Sequence, residues 1–409
     1  MDNNLELIKS EINNLNILSK VNNIDEIIKR STVLIKKYPK IPIFYNFLGS
    51  SLEKKNQIYD AEIVYNKSLE LDPKNIFVLI NLGRISRITN NLKRSEKLLK
   101  QALDIEPYNL FALLNYGELK IDQNNFNDAI SIFEKIYNKN DNFQNIVMKL
   151  ANTYSIVGEF KKAEDYLMLA TKKTPELFAA DYRLSNIINY DKKKDHQKRI
   201  LEKIKDKKFD NLNKHPLYFA LSKSYEDQKK YEQAFEYMVI ANKERNKLVT
   251  NKPLRYEEFF LNKNKEIFSN FNFGENTNMK FYEKKLVFIV GLPRSGTTLL
   301  HQILSAHSQT IGIGESIILN VFFYKNLIND NFLKKINIQS LSEISLHLGE
   351  KYDYFESNKI KIDKAPSNFF WIGFILSIFP NSKIINIKRN LQDNCLSIYK
   401  NLFGGNRTE

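Results

Sequence analysis

The chain has 409 residues, 43% of them hydrophobic and 27% charged, which is enough for about two or three domains with sizeable cores. The 62 Lys and Arg residues exceed the 47 Asp and Glu residues and give a net charge of +15, which permits anionic partners. Because lysine is spread along the whole chain, we expect a solvated surface and no nucleic-acid partner. The single cysteine, Cys395, excludes an internal disulfide, and the N-terminus lacks the basic start and apolar core of a signal peptide, so we expect a cytoplasmic location.

A repeat of 34 residues dominates the first half of the chain. Small residues recur at this interval at Gly49, Gly83, Gly117 and Ala151. In the same register lie Ala61, Ser95, Ala129 and Ala163, followed by Pro39, Pro73, Pro107, Asp141 and Pro175. Each unit predicts two amphipathic helices, in which small residues allow a close crossing and proline ends the second helix. This pattern resembles the tetratricopeptide repeat and predicts an all-α solenoid of about six helical hairpins over residues 1–247, degenerate at 1–40 and 178–216.

Two interpretations of the helical array stay open. It forms either a concave surface that binds a peptide or protein, or a spacer or dimerisation module. The polar and aromatic residues 248–284 predict a helical connector to a second domain, which begins at residue 285.

The second domain opens with a strand, a glycine-bounded loop and a helix. Residues 285–290 are mostly β-branched or aromatic, as in a strand buried on both faces of a parallel sheet. The loop runs from Gly291 through Gly296, and an apolar helical pattern follows Thr298. Because such a loop points backbone N–H groups and a helix N-terminus at one place, it predicts a site for a phosphate-like anion.

The loop has the Gly-x-x-x-x-Gly spacing of a Walker A motif, but Thr297 stands where nucleotide triphosphatases have lysine. The predicted strand 383–388 ends in Arg389 and Asn390 and not in a carboxylate that could hold Mg²⁺. A sulfuryl group carries one negative charge, which hydrogen bonds and the loop's Arg294 can neutralise. The pattern therefore favours sulfuryl transfer over phosphoryl transfer.

Each later strand is followed by a charged residue. The predicted strands 310–314, 359–362 and 383–388 lead to Glu315, Lys364 and Arg389. Since ligands bind at the carboxyl ends of parallel strands, these residues predict one site beside the loop. Taken singly, Glu315 could serve the start of the next helix, and Lys364 and Arg389 could be surface charges.

Three further features of this half carry structural predictions. His301 and His307, on or just after the loop helix, are interpreted as structural, although a histidine base is a rival to Glu315. Cys395 lies on an apolar helical face and is predicted to be in the core. The longest apolar run, residues 369–379, falls short of the roughly 20 residues that span a bilayer, so we expect a buried helix and no membrane span.

Taken together, the motifs resemble the sulfotransferase superfamily. They are Pro293 to Thr298, Gly314-Glu315, Lys364-Ala365-Pro366, Phe379-Pro380-Asn381, and Arg389 with Ser397 eight residues later. The nearest resemblance is to tyrosylprotein sulfotransferases and to bacterial sulfotransferases with N-terminal tetratricopeptide repeats. The expected fold is thus a tetratricopeptide-like solenoid followed by a P-loop-type α/β parallel-sheet domain over residues 285–409.

The resemblance implies a donor, 3′-phosphoadenosine 5′-phosphosulfate (PAPS), and no metal. Its 5′-phosphosulfate would be held by the loop residues, and its 3′-phosphate by the arginine and serine that match Arg389 and Ser397, a pairing suited to a terminal phosphate. The loop residues implied are Arg294, Ser295, Gly296, Thr297 and Thr298.

The resemblance also implies catalytic roles. Glu315 matches the general base toward the acceptor hydroxyl, and Arg294 and Lys364 match residues that stabilise charge on the sulfuryl and bridging oxygens. The acceptor suggested is a peptide or protein tyrosine, while a carbohydrate or small-molecule hydroxyl stays open.

Two departures from the family pattern stand out. Asn390 replaces the usual aspartate after the arginine, and Leu391-Gln392 replaces a proline-containing pair. The sequence ends at Glu409, twelve residues after Ser397, so we expect a C-terminally incomplete domain. The alternatives are a tetratricopeptide scaffold with an inactive nucleotide-binding α/β half and a P-loop kinase or NTPase.

Overall fold

The computed structural model describes residues 2–55, 57–89, 91–139, 144–192, 194–248, 254–270, 279–327, 337–353, 355 and 358–401. The chain divides into two compact units, Met1–Ile146 and Val147–Glu409, each of which has its own interior. The structure confirms the predicted fold class, with helical repeats first and a parallel sheet last.

The first unit consists of antiparallel helix pairs. Its helices are α1 (Asp2–Lys20), α2 (Ile24–Lys37), α3 (Pro42–Lys54), α4 (Ile58–Leu71), α5 (Ile76–Ile88), α6 (Leu92–Ile105), α7 (Leu110–Asp122) and α8 (Phe126–Lys139). Asparagines start several of them: the side chain of Asn75 accepts from the Val78 N–H at 3.2 Å, and that of Asn109 from the Ala112 N–H at 3.0 Å.

The repeating glycines lie where the two helices of a pair cross. A Cβ atom at Gly49 would lie 2.6 Å from the Tyr65 ring, and one at Gly83 would lie 2.7 Å from Leu99. Gly117 faces Phe133 in the same way. Each glycine is thus matched to a large buried residue 16 positions later, which explains why the small-residue signal recurs every 34 residues.

The second unit also contains helix pairs. Its helices are α9 (Gln144–Ile156, within which the boundary falls), α10 (Phe160–Lys173), α11 (Phe178–Ser185), α12 (Lys194–Lys205), α13 (His215–Asp227), α14 (Tyr231–Asn246) and α15 (Leu254–Asn270). The described residues contain seven successive helix pairs in α1–α14, where the sequence predicts about six. The sixth pair is degenerate, since α11 has only 8 residues.

Buried polar groups hold this degenerate pair together. The ring of His196 contacts the Tyr190 hydroxyl through Nδ1 at 2.6 Å and the Asp181 carboxylate through Nε2 at 3.1 Å. Lys203 donates to the other Asp181 oxygen at 2.8 Å. Because the first three side chains are at most 2% exposed, this network replaces part of the apolar packing of a regular repeat.

The described residues of the α/β part form four strands, β1 (Leu286–Gly291), β2 (Thr310–Gly312), β3 (Ile360–Asp363) and β4 (Lys383–Ile387). These strands are parallel and lie in the order β2-β3-β1-β4. The helices are α16 (Thr297–Ser305), α17 (Ile318–Leu327), α18 (Ile338–Tyr352), α19 (Ile372–Ile378) and α20 (Leu391–Tyr399). All four strands are parallel, so their carboxyl ends share one edge of the sheet, as predicted.

The apolar run over residues 369–379 contains the predicted buried helix, but the helix is shorter than the run. A 3₁₀ helix, Pro366–Trp371, precedes the short α19, and proline at its start fixes the backbone of the first turn. Phe369 is 42% exposed and Leu376 57% exposed, whereas Trp371 is fully buried. No helix among the described residues is long and apolar enough to cross a bilayer.

Candidate active site

The loop between β1 and α16 depends on three residues with positive φ. Gly291, at φ 152°, ends β1 where a Cβ atom would lie 2.6 Å from the Ile387 carbonyl oxygen of the neighbouring strand. Gly296, at φ 105°, is the residue from which α16 begins. Arg294 also adopts a left-handed conformation, at φ 68°, which is uncommon for a residue with a side chain. The glycines therefore let the chain turn sharply from strand to helix, and Arg294 is held at the outer part of the turn.

The loop contains a buried hydroxyl without a partner. Ser295 is 7% exposed, and its Oγ makes no hydrogen bond to any described residue. Thr297, the first residue of α16, is 4% exposed, whereas Thr298 is exposed. Since buried hydroxyls are normally hydrogen-bonded, the Ser295 hydroxyl together with the N-terminus of α16 forms a place suited to an anion.

The loop is tied to the residues that follow β4. The guanidinium Nε of Arg294 donates to Ser397 Oγ at 3.2 Å, and Arg389 Nη1 donates to the Arg294 carbonyl at 3.2 Å. The Asn394 amide of α20 donates to the Pro293 carbonyl at 2.8 Å. The structure thus brings Arg389 and Ser397 to the loop and leaves both arginines exposed.

The other predicted pair lies on the opposite side of the loop, after β2 and β3. The Lys364 ammonium forms an ion pair with the Glu315 carboxylate. The Lys364 side chain is 8% exposed and the Glu315 side chain 62% exposed, so the amine lies below the carboxylate. Glu315 does not cap the next helix, because Ser316 Oγ accepts from the Ile318 N–H at 3.2 Å instead.

The arrangement therefore has two parts joined by the loop. Lys364 follows β3 and Arg389 follows β4, and β1 lies between these two strands. The carboxylate and ammonium lie on one side of the loop, and the two arginines and Ser397 on the other. Such a site can accept a proton at one end and hold an elongated anion along the rest. The described residues contain no group of three His, Cys, Asp or Glu side chains that could hold a metal ion.

Sequence analysis missed one buried carboxyl next to the site. Asp363 ends β3, is 1% exposed, and accepts a hydrogen bond from the Tyr352 hydroxyl at 2.7 Å. Burial raises the pKa of the Asp363 carboxyl to about 7, against the opposing effect of its hydrogen bond from Tyr352. The only signal in the sequence was an acidic residue at the end of a predicted strand.

The two histidines near the loop differ in their surroundings. His301, on α16, is partly buried, and its Nε2 accepts the Gly314 N–H at 3.3 Å. His307 is exposed, and its Nδ1 accepts the Gln309 N–H at 3.1 Å. Neither contacts Arg294 or Lys364 through a hydrogen bond in the described structure. Cys395, predicted to be in the core, is exposed on α20.

Comparison with known proteins supports both halves of this description. Residues 287–409 match the family model described as Sulfotransferase family, so the chain carries a domain of this type. Residues 43–75 and 215–239 match the model of the tetratricopeptide repeat. The first of these matches spans the loop and all the site residues described above.

One curated relative, an uncharacterized protein of Aquifex aeolicus (strain VF5), is 25% identical over 276 residues, which cover 63% of this chain and 35% of the relative. The matched region thus spans about a third of that relative's length. A tetratricopeptide repeat protein from Parabacteroides merdae has a TM-score of 0.43 at 18% identity, covering 61% of this chain and 96% of its own. YrrB, described as a tetratricopeptide repeat protein with an unusual peptide-binding site, has a TM-score of 0.35 at 17% identity and covers 50% of this chain and 96% of its own.

Proposed function

We propose that the α/β domain, residues 285–409, is a sulfotransferase that moves a sulfuryl group from PAPS to an acceptor hydroxyl. The observation that carries the proposal is the lysine-free anion loop, with a Glu315–Lys364 ion pair on one side and Arg294, Ser397 and Arg389 on the other. This set of groups matches a donor that has an anionic group at each end. Such a donor carries no triphosphate, so it needs no metal ion to neutralise one.

The residues present fit such a donor. The N-terminus of α16 and the unpartnered Ser295 hydroxyl offer donors for the 5′-phosphosulfate. Arg389 and Ser397 lie beside the same loop and would bind the 3′-phosphate. Arg294 donates to Ser397 Oγ, so its guanidinium lies beside a group proposed to bind the 3′-phosphate.

The chemistry assigned to this chain is proton removal and charge stabilisation. As the acceptor oxygen attacks sulfur, Glu315 takes the hydroxyl proton, and the bond from sulfur to the bridging oxygen breaks with its electron pair on the leaving phosphate. Lys364 and Arg294 would stabilise the negative charge that grows on the sulfuryl and bridging oxygens. Lys364 is suited to this role because its nearly buried ammonium is poorly solvated and has a single carboxylate partner among the described residues.

We further propose that the acceptor is a hydroxyl of a peptide or protein, with tyrosine as the first candidate. The support for this acceptor class is the tetratricopeptide repeat itself, a type of repeat that commonly binds peptides or proteins. A carbohydrate or small-molecule hydroxyl is the competing acceptor class. A cytoplasmic location stays a prediction from the sequence.

Calorimetric titration with adenosine 3′,5′-bisphosphate tests the donor site without an acceptor. We expect binding by the full chain in the absence of Mg²⁺ and a loss of at least about tenfold in affinity for Arg389→Ala, because a charge-assisted contact to the 3′-phosphate is removed. The neighbouring exposed Lys388→Ala is the matched control and should change affinity less than about twofold. Absence of binding, or equal effects of the two variants, would remove the proposal.

A further inference from the structure

Gly314, the residue before Glu315, is held by hydrogen bonds at both its carbonyl and its N–H. Its carbonyl accepts the Lys364 N–H at 2.8 Å, which continues the pairing between β2 and β3. Its N–H donates to His301 Nε2 at 3.3 Å. Gly314 has φ 71°, so the chain turns there, away from the line of β2. The direction of the Glu315 side chain therefore depends on how this one residue is fixed.

The Gly314 N–H needs an acceptor that the sheet does not provide. The preceding Ile313 N–H donates to the Ile362 carbonyl of β3 at 3.0 Å, and successive N–H groups of an extended chain point in opposite directions. The Gly314 N–H thus points away from β3, and β2 is the edge strand of the described sheet. A backbone N–H without an acceptor costs free energy where water is partly excluded. The His301 imidazole supplies the acceptor that no neighbouring strand among the described residues provides for the Gly314 N–H.

The surroundings of the His301 ring leave it little room to move. A Cβ atom at Gly312 would lie 2.5 Å from His301 Nε2, so the imidazole occupies the place of a side chain on β2. The Ser305 hydroxyl, one turn later on α16, also occupies the space that a side chain at Gly312 would take. It donates to the His301 carbonyl at 2.5 Å. The absence of a side chain at Gly312 is what allows the ring to reach Gly314.

We propose that His301 is a positioning residue for Glu315: its neutral imidazole accepts the Gly314 N–H and fixes the peptide from which the Glu315 carboxylate reaches Lys364. This inference rests on the proposed function, in which Glu315 is the general base. In this inference His301 is not the general base, because its ring binds the Gly314 backbone and not the acceptor hydroxyl.

The electrostatic surroundings keep the ring neutral. Burial and the Lys364 ammonium lower the pKa of His301, while the nearby Ile362 carbonyl and the Glu315 carboxylate oppose this. Lys364 follows β3, Glu315 follows β2, and the Ser305 hydroxyl is the polar neighbour on α16 itself. A protonated ring could no longer accept the Gly314 N–H at Nε2, so the positioning effect is present at neutral pH and lost as the pH falls through the lowered pKa.

The first test is the tautomer of His301, measured by long-range ¹H–¹⁵N correlation on the labelled full chain, with His301→Gln to identify its signals. We expect a protonated Nδ1 and an unprotonated Nε2 at pH 7.5, and a titration midpoint below the ordinary value for histidine. An Nε2–H tautomer, with the ring donating to the Ile362 carbonyl, would overturn the inference. This result does not depend on any ligand.

The second test measures sulfuryl transfer from PAPS at saturating donor to 4-methylphenol, the side-chain analogue of tyrosine, whose hydroxyl keeps its proton at neutral pH. His301→Leu should lower the rate about 10- to 100-fold with adenosine 3′,5′-bisphosphate affinity unchanged, because the base is displaced and the donor loop is not. His301→Gln, which places an amide oxygen near the Nε2 position, should restore the rate to within about threefold of the wild type. It should also remove the protonation of His301 from the acidic limb of the pH–rate profile.

His307→Leu is the matched control, since it also removes an imidazole that accepts a backbone N–H, but away from Glu315. Its rate should stay at the wild-type level. Equal rates for His301→Leu and wild type, or an equal loss in His307→Leu, would contradict the role of His301. If the wild type neither transferred the sulfuryl group nor bound the bisphosphate, the proposed function would be contradicted. The tautomer measurement would still show whether His301 Nε2 accepts the Gly314 N–H.

Discussion

The Lys364 ammonium contacts the Glu315 carboxylate across the ends of two neighbouring strands. The amine is nearly buried and the acid mostly exposed, so the pair has an inner cation and an outer base. In the proposed reaction the cation must turn to the sulfuryl oxygens while the base faces the acceptor. Donor binding would then draw the ammonium away from Glu315 and free the carboxylate to take a proton.

Replacement of the base should separate catalysis from binding. Glu315→Gln keeps the shape of the side chain but cannot take a proton at neutral pH. We expect transfer at saturating donor to fall about 10²- to 10⁴-fold while affinity for adenosine 3′,5′-bisphosphate changes less than about threefold. Glu343→Gln, on the exposed face of α18, is the control. Intact transfer by Glu315→Gln would show that another group is the base.

The buried Asp363 should make stability depend on pH. Its folded pKa of about 7 lies above the ordinary value of 3.8, so the folded protein holds a proton that the unfolded chain has released. The contribution of Asp363 to the free energy of unfolding is therefore full below about pH 4. It falls as the pH rises toward 7, by up to ~1.4 kcal/mol per pH unit. Urea unfolding of Asp363→Asn should lack this decline between pH 4 and 7. The same decline in the variant would assign it to other groups.

The close crossing at Gly83 should reverse the usual effect of a glycine-to-alanine change in a helix. Helix propensity alone predicts a gain of about 1 kcal/mol for Gly83→Ala. Because the new methyl group would lie 2.7 Å from Leu99, we expect a loss of about 1–3 kcal/mol instead. Denaturant unfolding followed by circular dichroism measures the difference, and a more stable variant would show that the helices can separate at no cost.

The polar network of the sixth repeat should stabilise it measurably. Tyr190→Phe removes the hydroxyl that contacts His196 Nδ1 at 2.6 Å and leaves a buried polar atom without its partner. We expect a loss of about 1–3 kcal/mol in the free energy of unfolding. Tyr231→Phe, at a side chain that is 65% exposed, is the matched control and should change it by less than about 0.5 kcal/mol. Equal values for the two variants would mean that the network adds nothing.

Much of the site could be predicted because parallel strands place their carboxyl ends together. The glycine-bounded loop, Glu315, Lys364, Arg389 and Ser397 were all named from spacing and resemblance, and the structure places each at this edge. The direct contact between Glu315 and Lys364 could not be predicted, because it depends on β2 lying next to β3 in the sheet order. Strand order is a property of the whole sheet and has no local signal.

The errors in the prediction have local physical causes. The helix pair formed by α1 and α2 was predicted only as a degenerate hairpin because it lacks the glycine that marks the later crossings. The apolar run at 369–379 was interpreted as one helix, although Pro366 starts a 3₁₀ turn and the helix proper begins at Ile372. Cys395 was assigned to the core from its apolar neighbours, but α20 buries Asn394 and not Cys395.

The central claim is that the loop between β1 and α16 binds a nucleotide with a 3′-phosphate and a 5′-phosphosulfate. The most direct measurement is a calorimetric comparison of adenosine 3′,5′-bisphosphate, adenosine 5′-phosphate and ATP with Mg²⁺ on the full chain. We predict that the bisphosphate binds without metal and at least about tenfold more tightly than the 5′-phosphate, since Arg389 and Ser397 would bind only the 3′-phosphate. Preferential, Mg²⁺-dependent binding of ATP, or equal affinity for the two adenosine phosphates, would contradict the account.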